Sequence, residues 1–225
     1  MRDNLHNKGL RPTRPTKVIY QGIPLEKFPY LPAAWPTEGT EELAVRLLYV
    51  GQLHHYKGVH TFIEAVALLA QRGHRVQGLV VGKGQAEYLQ QLQAQVAAKS
   101  APVEFYGYYP HEELPGLYST CHLFVFPSIW QEPFGLTHLE AMACGLPVVS
   151  TTHGGQGEVL QDGFNCLSFP AEDSDRLADQ LQKLMQDPAL RQRLSEAGRK
   201  LVEEKLNMHH YVGQLERWIE GALVP

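Results

Sequence analysis

The chain has 225 residues, of which 44% are hydrophobic and 20% charged, a composition that suits one globular domain or two small ones. Its net charge of -4 gives no general attraction to nucleic acid or to an anionic membrane. No apolar run approaches the roughly 18 residues of a membrane span, and the N-terminus lacks the pattern of a signal peptide, so we expect a cytoplasmic protein without membrane association.

Residues 1–45 are rich in proline and contain one possible strand, in the stretch TKVIYQGI. Proline has no backbone N–H and is confined to edge strands, turns and loops. We therefore interpret residues 1–45 as a linker with an edge strand. The prolines are Pro12, Pro15, Pro24, Pro29, Pro32 and Pro36.

Short β-rich runs alternate with helical stretches from Arg46 onward. The runs are RLLYVGQL, RVQGLVVGK, VEFYG, HLFVFPS, PVVST and NCLSFP, and each is bounded by Gly, Pro or Asn. This alternation is typical of a parallel sheet covered on both faces. The predicted fold class is α/β, with a Rossmann-like parallel sheet of about six strands over residues 46–206.

The chain after Pro170 has a helical pattern to its end. In the last predicted helix, within residues 207–225, apolar side chains recur at helical spacing, and these are Tyr211, Leu215, Trp218 and Ile219. Part of this stripe is expected to be exposed or to recruit another chain, and the alternative is that it folds back on its own domain.

Four loops with glycine and polar residues follow predicted strands and meet at one edge of the sheet: GQLHHYKG, GKGQAE, PSIWQEPFG and TTHGGQGE. The second lacks the third glycine of a dinucleotide fingerprint, which disfavours a nicotinamide enzyme. Four histidines in or near these loops have no spacing that requires a metal site, so we assign them to the surface: His54, His55, His138 and His153. The cysteines, Cys121, Cys144 and Cys166, are predicted to be core thiols.

Two glutamates, Glu132 and Glu140, flank the predicted start of a helix at Phe134 or Gly135. The first amides of a helix lack helical partners and favour an anion such as a diphosphate. Glu140 would lie one turn into the helix, facing ribose hydroxyls beside that phosphate rather than the core.

These residues resemble the retaining glycosyltransferases of GT-B fold, in the glycosyl transferases group 1 or glycogen-synthase-like branch. The resemblance rests on LLYVGQLHHYKGVHTFIEAVALL, LVVGKGQ and the segment from VEFYGYYP to NCLSF, and it covers only the C-terminal half of such an enzyme. It implies that residues 1–22 precede an interdomain crossing, that an N-terminal acceptor-binding domain is absent from this chain, and that the last helix packs on that domain.

The resemblance also implies the roles of individual residues. Lys57 and Glu132 would be catalytic: Lys57 pairs with the diphosphate and Glu132 contacts the donor sugar. Glu140 would hold the ribose, and Gln52 stands where the family usually has an arginine. The other implied donor-binding residues are Gly51, Gly82, Tyr108, Tyr109, Phe134, Gly135 and Leu136. Glu158 matches a motif glutamate, with structural capping as the alternative.

The implied reaction is transfer of a hexosyl group from a UDP- or GDP-linked donor to an acceptor hydroxyl, with retention and without a cofactor or metal ion. Two alternatives stay open. One is a module that binds nucleotide or sugar without turnover, and the other is an unrelated Rossmann-like enzyme such as an epimerase or dehydrogenase.

Overall fold

The computed structural model describes residues 17–36 and 44–223. Its centre is one sheet of six parallel strands in the order β3-β2-β1-β4-β5-β6. The strands are β1 (Val45–Val50), β2 (Val76–Val81), β3 (Val103–Gly107), β4 (Leu123–Phe126), β5 (Val148–Ser150) and β6 (Leu167–Ser168). This architecture confirms the predicted α/β, Rossmann-like class. The strand order reverses between β1 and β4, where ligands bind in open sheets of this kind.

Seven α-helices surround the sheet in the described part of the chain. They are α1 (Val59–Gln71), α2 (Ala86–Lys99), α3 (Leu114–Tyr118), α4 (Thr137–Cys144), α5 (Ser174–Gln186), α6 (Pro188–Lys205) and α7 (Met208–Leu223). Two of these helices begin after an aspartate that caps the helix N-terminus, a residue type that favours this position. Asp173 accepts from the Arg176 amide ahead of α5, and Asp187 accepts from the Leu190 amide ahead of α6, where Pro188 takes the first helical position.

The core lies on both faces of the sheet. On β1, Leu47 belongs to the cluster that packs under α1 and α5, whereas Leu48 belongs to the cluster that packs under α4 and α6. Neighbouring side chains of a strand point to opposite faces. The central strands are therefore buried on both sides, which is why their sequences are nearly continuous apolar runs.

The N-terminal segment 17–36 forms no strand, so the predicted edge strand in TKVIYQGI is wrong. Ile23 instead makes a single bridge with Asn207: its amide donates to the Leu206 carbonyl at 2.9 Å, and the Met208 amide donates to its carbonyl at 2.7 Å. Four prolines between Pro24 and Pro36 lack the N–H groups that a longer ladder requires. The remainder of the predicted linker, residues 1–16 and 37–43, lies outside the described residues.

The last helix, α7, leaves part of its apolar stripe uncovered. Trp218 is 38% exposed and Ile219 is 51% exposed, whereas Tyr211 and Leu215 are half-buried. The predicted partner domain stays a prediction. Within residues 17–36 and 44–223, no helix is both long and apolar enough to cross a membrane.

Candidate functional site

A pocket of about 150 Å³ opens at the carboxyl ends of β1 and β4, where the strand order reverses. Its walls come from the loop after β1, the loop after β4 and the start of α4. The lining includes the predicted residues Gly51, Gln52, Lys57, Gly135 and Leu136. Five of the residues predicted to bind one ligand therefore do share one cavity.

The loop after β1 approaches the end of β4 because residue 58 is a glycine. Gly58 has φ 72, and a Cβ atom there would overlap the carbonyl oxygen of Pro127. Just before it, the carbonyl of Tyr56 accepts a hydrogen bond from the Ile129 amide at 2.8 Å. These contacts hold the short 3-10 helix His55–Lys57, called the Lys57 helix below, against the loop that carries Glu132.

Lys57 and Glu132 form an ion pair in which the Lys57 ammonium donates to Oε1 of Glu132. The Ser128 hydroxyl donates to the same carboxylate oxygen at 2.9 Å. The Glu132 side chain is only 5% exposed, whereas Lys57 is 21% exposed. A buried carboxylate requires such partners. The structure thus brings the two predicted catalytic residues together and adds Ser128, which the sequence interpretation missed.

The backbone of Glu132 is fixed by the loop after β5. The Gly155 amide donates to the Glu132 carbonyl at 2.7 Å, and a Cβ atom on Gly154, which has φ 124, would overlap the Glu132 backbone. The Gly-Gly pair in TTHGGQGE is the sequence feature that could have indicated this close contact between the two loops. The residues that follow Gly154 form the 3-10 helix Gly155–Glu158.

Helix α4 begins at Thr137, later than the predicted start at Phe134 or Gly135. Gly135 has φ 80, a left-handed conformation that no α-helix contains. The first amides of α4 lack helical carbonyl partners, as at every helix N-terminus, and Thr137 and Leu136 both line the pocket. An anion in the pocket would therefore meet the positive end of α4.

Glu140 is buried, with only 4% of the residue exposed, whereas the sequence interpretation expected it to lie open to the cleft. Its Oε2 accepts from the Tyr118 hydroxyl at 3.0 Å, and its Oε1 accepts from Nε2 of His111 at 3.0 Å. Burial, together with the Glu140 charge, raises the pKa of Tyr118 well above its usual range, so its hydroxyl stays a donor. His111 and Tyr118 were both missed, because neither stands near Glu140 in the sequence.

His138 is fully buried, so its assignment to the surface is wrong. Its ring lies 5.1 Å from the Phe126 ring and 6.0 Å from the Phe134 ring, measured between centroids. Neither ring nitrogen has a hydrogen-bond partner among the residues that the structure describes. Burial lowers the pKa of His138 to about 3, so the imidazole is neutral at physiological pH.

Phe134 packs against the N-terminal segment. The rings of Phe134 and Tyr20 stack with centroids 5.5 Å apart, and the Tyr20 hydroxyl donates to Oε2 of Glu158 at 2.6 Å. This hydrogen bond and burial raise the pKa of Tyr20 to about 12. Glu158 thereby fixes the segment that backs Phe134, and Tyr20 is a further site neighbour that the sequence interpretation missed.

The three remaining predicted donor-binding residues lie near the β2 and β3 ends. Gly82 has φ 139 and packs so tightly on Gly51 that a Cβ atom would overlap the Gly51 carbonyl oxygen. Tyr108 is 68% exposed, with the Lys83 ammonium 4.9 Å from its ring centroid, and Tyr109 is half-buried. Tyr108 therefore presents an open aromatic face near the pocket edge of the sheet.

The three cysteines are free and buried, as predicted. Burial raises the pKa of Cys121 to about 11, and those of Cys144 and Cys166 to about 12. These thiols are therefore protonated and unreactive at physiological pH.

Comparison with known proteins gives one family. The sequence profile of the family "Glycosyl transferases group 1" matches residues 38–201. Glycogen synthase of Mycobacterium tuberculosis is 35% identical over 182 residues, which are 81% of this chain and 42% of that protein. The chain spans about half the length of the curated relatives it matches.

Solved structures give the same fold. Sucrose-phosphate synthase from Thermosynechococcus elongatus superposes with a TM-score of 0.83 at 28% identity, over 98% of this chain and 57% of that one. The crystal structure of Anabaena HepE in complex with UDP and glucose gives a TM-score of 0.79 at 23% identity, over 91% of this chain and 56% of that one.

Proposed function

Since the chain belongs to the glycosyl transferases group 1 family, we propose that it is the donor-binding domain of a retaining hexosyltransferase. The pocket at the ends of β1 and β4 takes the nucleotide-diphospho-sugar, with UDP-glucose as the first candidate because HepE was solved with UDP and glucose. The observation that carries the proposal is that Lys57, the N-terminus of α4 and two buried carboxylates converge at this edge of the sheet.

The diphosphate binds between Lys57 and the first amides of α4. Both supply positive potential, and both are fixed before the ligand arrives, Lys57 by Glu132 and the helix by its packing. Negative charge grows on the diphosphate as the bond to the sugar breaks, so these groups stabilise the transition state. The site requires no metal ion for this task.

Glu132 faces the sugar. In the transfer, the bond from the anomeric carbon to the diphosphate oxygen breaks, and a bond to the acceptor oxygen forms on the same face of the sugar. The acceptor proton passes to the departing diphosphate. The protein contributes positioning and charge stabilisation. The acceptor is held by a domain outside the described residues, in keeping with a chain that spans about half the length of its relatives.

Glu140 binds the ribose hydroxyls while keeping its contacts with Tyr118 and His111. Each carboxylate oxygen can accept two hydrogen bonds, and each oxygen accepts only one from the residues that the structure describes. The two protein donors fix the carboxylate, so that its remaining lone pairs are oriented before the ligand binds.

Glu140→Ala is expected to weaken UDP binding about tenfold or more, since loss of a buried hydrogen-bond partner costs about 1 to 3 kcal/mol. Calorimetric titration with UDP and UDP-glucose measures this, and the exposed Glu216→Ala is the control. Glu132→Ala is expected to weaken UDP-glucose more than UDP. Equal affinities in the wild-type protein and in both site variants would rule out this pocket.

Gln52→Arg is expected to tighten UDP binding roughly fivefold at low salt, which corresponds to about 1 kcal/mol. Gln52 is exposed and lines the pocket, so an arginine there would add a positive charge beside the diphosphate. The control is Gln93→Arg, which makes the same charge change on an exposed face of α2. An equal gain in both variants would mean a general charge effect rather than a local contact.

A binding module without turnover is the second candidate, and the neutral Gln52 favours it because a weaker positive field stabilises the leaving diphosphate less. Radiolabelled UDP-glucose distinguishes the two candidates once the partner domain is supplied. Release of UDP coupled to acceptor labelling would establish the transferase. Family membership removes the unrelated epimerase or dehydrogenase from consideration.

A further inference from the structure

A group of three side chains of metal-binding types lies around the Lys57 helix, and the sequence interpretation assigned only one of them, His55, to the surface. His55 comes from the Lys57 helix, His60 from the first turn of α1, and Glu172 from the loop between β6 and α5. One ligand atom from each residue lies within 4.8 Å of the others. No local sequence pattern indicates this group, because Glu172 is more than a hundred residues from the histidines.

We propose that His55, His60 and Glu172 bind a zinc ion. Two imidazole nitrogens and one carboxylate oxygen are donors that Zn²⁺ accepts in proteins, and the fourth tetrahedral position is left to water. Mg²⁺ and Ca²⁺ prefer all-oxygen sites, so this set selects against them. The proposal does not depend on the proposed donor or reaction.

The orientation of His60 is already suited to a metal ion. Its Nδ1 lies 3.0 Å from the hydroxyl of Tyr88 on α2, and a hydrogen bond there leaves Nε2 available for the metal. Metal-bound histidines in proteins almost always make such a second contact through the other ring nitrogen. Tyr88 is therefore the outer partner of the site.

His55 is the ligand whose side chain must rotate to bind the metal ion. Its ring stacks on the His60 ring at 4.4 Å between centroids and 18° between planes. A metal ion must lie in the plane of each ring that binds it, so the His55 ring rotates out of the stack on binding. His55 is exposed and free to make this rotation.

Zinc at this position would tie three separate segments together. The Lys57 helix would be joined to α1 and to the loop ahead of α5, while the ion stays outside the pocket, whose lining includes Lys57 but none of the three ligands. The role is structural: the ion restrains the loop that presents Lys57.

Calorimetric titration of the whole chain with ZnCl₂ tests the site, with MgCl₂ as the second metal and the melting temperature as an independent measurement. We expect one zinc ion per chain, a higher melting temperature with zinc, and no binding of Mg²⁺. His60→Ala is expected to weaken zinc binding by more than about 100-fold, and Tyr88→Phe by about 10- to 100-fold, as for an outer partner.

Glu172→Gly distinguishes loss of a metal ligand from misfolding of the variant. Glu172 has φ 64, a conformation that glycine adopts without strain, so this variant removes the carboxylate and leaves the backbone relaxed. His54→Ala and His153→Ala are the controls, because these histidines follow β1 and β5 and are not members of the cluster. Zinc affinity that is unchanged in Glu172→Gly and in His60→Ala, or equally reduced in the controls, would overturn the proposal.

Discussion

Gly58→Ala is expected to lower the free energy of unfolding by about 2 to 5 kcal/mol. A non-glycine residue in the left-handed region costs about 1 to 2 kcal/mol, and forcing the backbone apart to admit the new methyl group costs about 1 to 3 kcal/mol more. Gly58 has φ 72, and its Cβ position is occupied by the carbonyl of Pro127. The variant should also bind UDP more weakly, because the displaced backbone carries Lys57.

Gly73→Ala is the matched control for this substitution. Gly73 has φ 85 but no atom within 4 Å of its Cβ position, so only the conformational cost of about 1 to 2 kcal/mol applies. Urea denaturation of the two variants separates the close approach from the backbone strain. Equal losses of stability would show that the contact between Gly58 and Pro127 is not what holds the Lys57 helix in place.

Acidification from pH 7.5 to pH 5.0 is expected to cost about 2 kcal/mol of stability through His138 alone. The unfolded chain binds a proton at this histidine near pH 6.5, whereas the folded protein does so only near its pKa of about 3. Between these values the unfolded state holds more protons, so the free energy of unfolding falls by about 1.4 kcal/mol for each pH unit below 6.5. The loss is complete near pH 3.

His138→Leu removes this dependence, because leucine fills a similar apolar space without titrating. Urea denaturation at both pH values compares the variant with the wild-type protein, and His153→Leu controls for an exposed histidine. Burial also lowers the pKa values of His60 and His122, but these groups are present in both proteins and cancel in the comparison. Parallel pH profiles for wild type and His138→Leu would contradict a buried neutral imidazole.

The sheet was predictable because each parallel strand, buried on both faces, leaves a continuous apolar run in the sequence. The contact between Lys57 and Glu132 was not itself predictable. The sequence predicted only that their loops lie close together, because the loop after β1 and the loop after β4 flank the point where the strand order reverses. Local sequence patterns therefore predicted which loops line the pocket.

Side-chain environment was harder to predict than location. Glu140 and His138 lie within one turn of each other, and both are buried. Each carboxylate oxygen of Glu140 accepts one hydrogen bond, whereas the His138 ring has no partner among the residues that the structure describes. The surroundings of these two side chains are formed by residues of other elements, such as Tyr118 and Phe126. The periodicity of a single sequence contains no information about such contacts. The start of α4 was placed too early because the left-handed Gly135 depends on tertiary packing against Phe126.

The Ile23 bridge has a mechanical consequence. The Ile23 amide and carbonyl both bond to the turn between α6 and α7, and Gly22 lies so close to Asn207 that a Cβ atom would overlap its carbonyl. The two ends of the sheet domain are thus fastened side by side. A pulling force applied between residue 17 and α7 would therefore act first on these two hydrogen bonds. The force would reach the strands of the sheet only after both bonds had broken.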